Sequence, residues 1–243
     1  MQETNGDRDR APTDIRRKII VWCLQSVIGL MGYGVIIFLA AGTVKWLWGW
    51  LFLLSVAVML FGQPILLIPI SPETFIERSG GLSQEGGKRW DRWLMAVAGG
   101  IMPLASWVVA ALNLRHDWEP VPPDFMHIVG LVFVAIGWTV FLWAMVSNAY
   151  FSEVVRIQVE RGHTVATNGP YRFVRHPGYA GAILAFLGVP FLLGSYWALI
   201  PAVLGMAGYV LRTSLEDRTL QQELGGYGEY CDRVRYRLIP GLW

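Results

Sequence analysis

The stretch Thr167-Asn168-Gly169-Pro170-Tyr171-Arg172-Phe173-Val174-Arg175-His176-Pro177-Gly178-Tyr179-Ala180-Gly181 runs directly into an apolar segment, Tyr179 to Leu211, that contains no charged residue. Two prolines and three glycines keep the first part out of a regular helix, while Arg172, Arg175 and His176 supply hydrogen-bond donors. The apolar segment is too long for one membrane helix and too uniformly apolar to leave a bilayer. Pro190, Gly194-Ser195 and Pro201 put a turn near Gly194, so the segment reads as two spans joined by a tight hairpin. A polar loop at a membrane surface, a helical hairpin and then a charged tail read as a working site with a lid.

Composition agrees with a membrane setting. Of 243 residues, 54% are hydrophobic and 16% charged, and the mean hydropathy is +0.42. Soluble domains carry roughly a quarter charged residues. A net charge of +2 gives no basis for a nucleic-acid partner. Cys23 lies in an apolar run and Cys231 in the charged tail, a difference in depth that argues against a disulfide or a shared metal. The first apolar run is too long for the core of a secretion signal and reads as an anchor.

The chain divides into a basic tail (1–18), a four-helix membrane region (19–147) and a region carrying the chemistry (148–243). The spans expected in the membrane region are Ile19 to Gly42, Trp46 to Ile70, Trp93 to Leu114 and Phe125 to Ser147. Gly29, Gly32 and Gly34 suit close helix packing in the first, and Pro64 and Pro69 kink or end the second. Ser71-Pro72-Glu73 reads as a helix start, and Lys88, Arg89 and Arg92 as side chains facing lipid headgroups. His127 reads as an interfacial residue rather than a ligand. Asn148 to His163 fits either an interfacial helix or an extended piece. Beyond the hairpin, Arg212 to Arg237 reads as a charged helical tail broken at Gly225-Gly226 and stopped by Pro240-Gly241.

The expected fold is therefore an all-α integral membrane protein of about six transmembrane helices, with a cofactor loop and a C-terminal helix at the cytoplasmic face. Lysine and arginine concentrate in the N-terminal tail, Ser71 to Arg92, Asn148 to Pro177 and the C-terminal tail, whereas the opposite loops hold only Lys45 and Arg115. That asymmetry puts both termini in the cytoplasm. The absence of a retention signal points to a bacterial inner membrane.

The hairpin brings two polar clusters to one face: Arg172, Arg175, His176 and Tyr179 before it, and Arg212, Glu216, Asp217, Arg218 and Glu223 after it. On these residues alone, ion-paired anchors reaching for lipid phosphates are an open alternative. As a site, the clusters suit a ligand with both cationic and anionic parts, and S-adenosylmethionine is such a molecule. Its carboxylate matches Arg or His, its ammonium and ribose hydroxyls match Glu216, and its adenine needs an apolar slot, for which Tyr179 is the candidate neighbour.

Arg175-His176-Pro177-Gly178-Tyr179-Ala180-Gly181 resembles the R-H-P-x-Y-x-G signature of the isoprenylcysteine carboxyl methyltransferase family, a broad group that includes membrane phospholipid N-methyltransferases and thiol S-methyltransferases. Leu215-Glu216-Asp217 followed by Tyr227 and Tyr230 resembles that family's second element, with Asp217 where a second Glu is common. The resemblance covers His163 to the C-terminus. It implies S-adenosylmethionine as cofactor and a lipid-like acceptor (a prenylcysteine-like carboxylate, a lipid amine or a thiol), with membrane lipids as surroundings and no obligate protein partner. It implies Tyr171, Arg175, His176, Pro177, Tyr179, Gly181, Glu216 and Asp217 as cofactor-binding residues, Arg175 and Glu216 as catalytic, and no metal. Gly178 would leave the acceptor wall bare. Membrane sterol reductases, which bind NADPH, carry a similar stretch and stand as the alternative. They differ in having Asn and Asp where this chain has Gly178 and Ala182.

Overall fold

The computed structural model describes the backbone of residues 5–243 and the side chains of residues 15–243. The elements are α1 (Asn5–Ala41), α2 (Leu47–Ile70), α3 (Pro72–Arg78), α4 (Arg89–Met95), α5 (Met102–His116), α6 (Phe125–Val146), α7 (Pro177–Leu192), α8 (Leu199–Glu223) and α9 (Tyr227–Arg233). A π-helical turn, Ala96–Ile101, joins α4 to α5, so the two run as one long element. Among the described residues there is no strand.

Four stretches are long and apolar enough to cross a membrane: Ile15–Ala41, Leu47–Ile70, Arg89–His116 and Phe125–Val146. Their outward side chains, such as Ile28, Leu39 and Ile65, are exposed and apolar, as a lipid-facing surface requires. The other two helices differ from the expected full-length spans. Pro177 starts α7 late and the turn at Gly194, with φ +78°, ends it, leaving an apolar helix of 16 residues. The apolar start of α8 continues without a break into the charged segment, so its 25 residues are only partly apolar. The hairpin itself is as expected, since α7 and α8 pack on each other and Ser195 N–H donates to the Pro190 carbonyl at 2.9 Å.

The glycines that bring helices together are not those of α1. A Cβ at Gly29 or Gly32 would meet nothing within 4 Å, and only Gly34 approaches another helix, at Leu53. The close seam lies between α6 and α7. A Cβ on Gly137 would sit 2.6 Å from both Ala185 N and the Gly181 carbonyl, and one on Gly130 would sit 2.2 Å from Leu192 N. Gly181 and Gly188 face α6 from the other side, with the Gly137 and Gly130 carbonyls 2.5 and 2.7 Å from their missing Cβ atoms. Small residues at this spacing let two antiparallel backbones touch, which gains dispersion contacts that lipid tails cannot replace.

Several boundaries move. Residues 1–4 of the basic tail lie outside the described residues, and helix begins at Asn5 rather than at Ile19. α2 runs through Pro64 and Pro69 and ends at Ile70, capped by Ser71. α3 starts with Pro72 as expected. Asn148 to His163 is an irregular extended piece with one 3₁₀ turn, Val159–Arg161, and its Val155 carbonyl accepts from Lys88 N–H at 3.0 Å. The tail breaks at Gly225-Gly226, but helix ends at Arg233, after which the chain lies along the 167–176 loop: Arg175 and His176 N–H donate to the Tyr236 and Arg237 carbonyls, both at 2.9 Å. Both cysteines are free thiols. The His127 ring stacks on Trp48 at 4.4 Å and bonds the Leu192 carbonyl.

Gly137→Ala should lower the thermal unfolding temperature of the detergent-solubilised protein by the equivalent of about 1–3 kcal/mol, because backbone rather than a flexible side chain meets the new methyl. Gly32→Ala should be neutral or slightly stabilising. Equal melting temperatures for the two variants would remove the seam from the account.

Candidate active site

The end of the bundle where α2, α6 and α8 deliver their C-termini and α7 begins holds two layers of paired charge. The first is centred on Asp217, which is fully buried on α8. Its carboxylate accepts from Arg175 Nε and Nη2 at 2.8 and 3.0 Å, from Tyr227 OH at 2.9 Å, and from Arg237 Nε and Gln221 Nε2, both at 2.9 Å. His176 Nε2 lies 3.3 Å away. Burial works to raise the Asp217 carboxyl, but the hydrogen bonds from His176, Arg175 and Arg237 outweigh it and hold the group well below the usual carboxylate range. Arg175 Nη1 donates to the Val234 and Arg235 carbonyls, at 2.7 and 2.9 Å. Four of the five guanidinium N–H groups are thereby committed within the protein.

The second layer joins the 71–92 connection to α8. Arg212 places Nε 2.7 Å from Asp91 Oδ1 and Nη2 3.0 Å from Oδ2, and also donates to the Glu153 carbonyl at 2.8 Å. Asp91 in turn accepts from Val155 N–H at 2.7 Å, which docks the extended 148–163 piece. Arg78 donates through Nε to Gln63 at 3.0 Å and through Nη2 to Glu153 at 3.1 Å. Arg156 forks onto Glu77 at 2.9 and 3.0 Å. Neither Lys88 nor Arg92 is left for lipid headgroups alone: Lys88 Nζ is 2.6 Å from Glu223 Oε1, and Arg92 donates to the Gln84 carbonyl.

Between the layers lies a cavity of about 390 Å³, within the range of small-molecule pockets. Five of the residues expected at the site line it: Tyr171, Arg175, His176, Tyr179 and Glu216. Tyr179 OH donates to Glu216, its ring stacks beside His176, and the Arg212 guanidinium carbon sits 4.9 Å from the ring centroid. Asp217 stands behind the wall and holds Arg175 and His176 in place. Pro177 is the first residue of α7, and Gly181 faces α6; neither lines the cavity. Arg172 and Arg218 are exposed and do not join the cluster. The wall at Gly178 is not bare, since the Phe151 ring lies 2.9 Å from where a Cβ would be.

Arg78, Glu153, Arg156, His163 and Tyr209 also line the cavity and were not read as site residues from sequence. Asp91, a lone acid amid Lys88, Arg89 and Arg92, was the available signal for an inward pair. Val165, Ala166, Leu220 and Leu224 supply an apolar patch. His163 stacks on Tyr150 at 4.4 Å, and its Nδ1 accepts from Gln158 N–H at 3.2 Å, which requires that nitrogen unprotonated. Burial, then the nearby Arg161 and Arg156 charges, push its pKa down to about 4.

The comparisons with known proteins bear on the same region. The profile of the phospholipid methyltransferase family matches residues 125–226, from α6 to the turn before α9. Over this segment the chain is similar to this membrane methyltransferase family. A probable protein-S-isoprenylcysteine O-methyltransferase of Oryza sativa is 34% identical over 125 residues, covering 50% of this chain and 62% of that one. Protein-S-isoprenylcysteine O-methyltransferase A of Arabidopsis thaliana is 29% identical over 108 residues, 43% of this chain and 55% of that one. The protein of that name in Schizosaccharomyces pombe is 36% identical over 67 residues, 27% and 28% of the two chains. The chain thus spans less than two thirds of the length of the curated relatives it matches. The matched segment contains Asp217, Arg175 and His176, but not their partners Tyr227 and Arg237, nor Arg78 or Asp91.

Two predictions follow from this charge arrangement. Asp217→Asn keeps shape but leaves Arg175 short of a countercharge, so folding stability in detergent should fall by about 3–5 kcal/mol. Glu223→Gln, which breaks the half-exposed Lys88 pair, should cost less than about 1 kcal/mol. For pH, the His163 value is lower folded than the ordinary 6.5, so its contribution is complete above pH 6.5 and is lost as pH falls toward 4. The protection factor of the Gln158 amide, its exchange rate relative to the intrinsic rate at each pH, should fall over that window, and His163→Gln should flatten the dependence. Asp217, whose carboxyl is shifted downward, keeps its contribution throughout the same window.

Proposed function

We propose that the protein is an integral-membrane methyltransferase that takes its methyl group from S-adenosylmethionine and delivers it to an amphiphilic acceptor. The observation that carries this reading is the convergence of Tyr179 and Glu216, from the two ends of the helical hairpin, on one cavity. The cavity's donor set fits the cofactor. Glu216 offers a carboxylate to a cationic group, and His176 is within reach of the same space. The apolar patch of Val165, Ala166, Leu220 and Leu224 suits the adenine better than Tyr179 does, because His176 and Arg212 already flank the Tyr179 ring.

When bound, S-adenosylmethionine supplies an electrophilic methyl group on a sulfonium. The protein's share is placement, charge and dryness. Glu216, oriented by the Tyr179 hydroxyl, puts negative charge where a cationic ligand needs it. Arg175, held by Asp217 and two carbonyls, keeps the 167–176 loop against the tail and so shapes the wall. Gly100 of the π-helical turn is exposed on the outer surface and also lines the cavity, which supports sideways entry of the acceptor from the bilayer. The names of the relatives favour an isoprenylcysteine-type carboxylate over a lipid amine or a thiol. We further propose six crossings, with α7 and the apolar half of α8 as the last two, and a cytoplasmic cavity, a reading supported by the lysine and arginine bias of the loops at that end.

Calorimetric titration of the purified protein with S-adenosylhomocysteine tests this. Binding should be saturable, and Glu216→Gln should weaken it by about 1–3 kcal/mol, the worth of a charged hydrogen bond. Binding of NADPH in place of S-adenosylhomocysteine would overturn the proposal in favour of a reductase.

A further inference from the structure

Arg78, the last residue of α3, is only 5% exposed, yet it lines the cavity. Its guanidinium cannot shed its proton to escape burial. The Phe151 and Phe141 rings lie against it, 5.2 and 5.9 Å from the guanidinium carbon to the ring centroids, so little of its surroundings is polar. Inside the protein it has Gln63 on Nε and a single Glu153 oxygen on Nη2. Among the described residues, Nη1 has no protein acceptor, although it is not sealed away from the cavity. A buried permanent cation with two free N–H groups on one nitrogen is a receptor for an oxyanion.

Resting on the methyltransferase reading above, we propose that Arg78 anchors an anionic oxygen of the acceptor and thereby selects acceptors that carry both a negative charge and an apolar tail. The Phe141 and Phe151 rings provide the apolar flank beside it, and Met95 and Gly99 line the same cavity. Glu216 is another acidic wall residue of the same cavity, so the site has a cationic anchor at Arg78 and an anionic one at Glu216. A lipid ammonium beside Arg78 would be repelled. Arg78 lies outside the segment 125–226 that matches the family, so this selection belongs to the first half of the chain. Glu153 plays the opposing part. It occupies one edge of the guanidinium through a partly exposed carboxylate, and an incoming oxyanion must share Arg78 with it.

Carboxylate and phosphate share the chemistry Arg78 would read, and three probes with one tail separate them: farnesylthioacetate, its carboxamide and farnesyl phosphate. Equilibrium binding to the full-length protein in non-ionic detergent, with S-adenosylhomocysteine binding measured in the same samples, is the experiment. The anions should bind more tightly than the carboxamide. Arg78→Met should weaken the anions on the order of ten- to a hundred-fold and leave the carboxamide unchanged. Glu153→Gln should tighten the anions, a gain that a misfolded protein would not show. Whichever anion binds more tightly identifies the headgroup class, and either order supports the anchor. Equal binding of anions and carboxamide, equal loss of all three probes in Arg78→Met, or no tightening in Glu153→Gln would overturn it. Failure of S-adenosylhomocysteine to bind the unmodified protein would instead strike the methyltransferase reading, while the probe series still reads Arg78.

Discussion

The Asp217 carboxylate ties together the parts of the chain that make the cavity. It sits on α8, yet its partners come from the 167–176 loop (Arg175 and His176), from α9 (Tyr227) and from the C-terminal extension (Arg237). A buried carboxylate is costly unless it is both paired and hydrogen-bonded. Here every side of the group is occupied, so the cost of burial is met only when all four segments are in place. Within the loop, backbone hydrogen bonds of its own hold the short 3₁₀ helix Gly169–Arg172 and the turn that follows it. The geometry of its last part, Arg175 and His176, is borrowed from Asp217 and from the tail carbonyls that these residues engage.

The Asp91–Arg212 pair does the same for the other wall, docking the 148–163 piece through the Val155 amide and the Glu153 carbonyl. In both layers the charges are matched within the protein. What is left over is informative for that reason. Among the described residues, Glu216 has a tyrosine hydroxyl but no arginine as hydrogen-bond partner, and Arg78 has the Gln63 amide oxygen and one Glu153 carboxylate oxygen. Glu216 also lies within electrostatic reach of Arg212, and Arg78 of Glu153, so each keeps hydrogen-bonding capacity toward the cavity while its charge is partly balanced.

Some of this was readable before any fold was known. The helix-length apolar runs, the turn at Gly194 and the break at Gly225-Gly226 follow from hydropathy and from residues that cannot continue a helix. The partnership of Tyr179 with Glu216 could be expected because a hairpin returns its two ends to one face. Other features had no local signature. Nothing distinguishes Gly137 from Gly29 by composition, yet only the former touches another backbone. The basic run Lys88 to Arg92 looks like a headgroup contact until Asp91 is seen to turn inward.

By itself, the sequence determined that the chain is helical and membrane-embedded, where the first four spans begin and end to within a few residues, and which loop and tail would meet. Those properties depend on hydropathy, proline and glycine, which act within a few residues of where they stand. The tertiary structure alone decided which charges are spent on one another and which remain for a ligand. Arg175 and Arg78 are chemically identical side chains; the first is consumed by a carboxylate 42 positions away, and the second faces a cavity with one nitrogen that has no acceptor among the described residues. That distinction depends on who the neighbours are in space, and a pairing between distant residues has no representation in the local pattern of the chain.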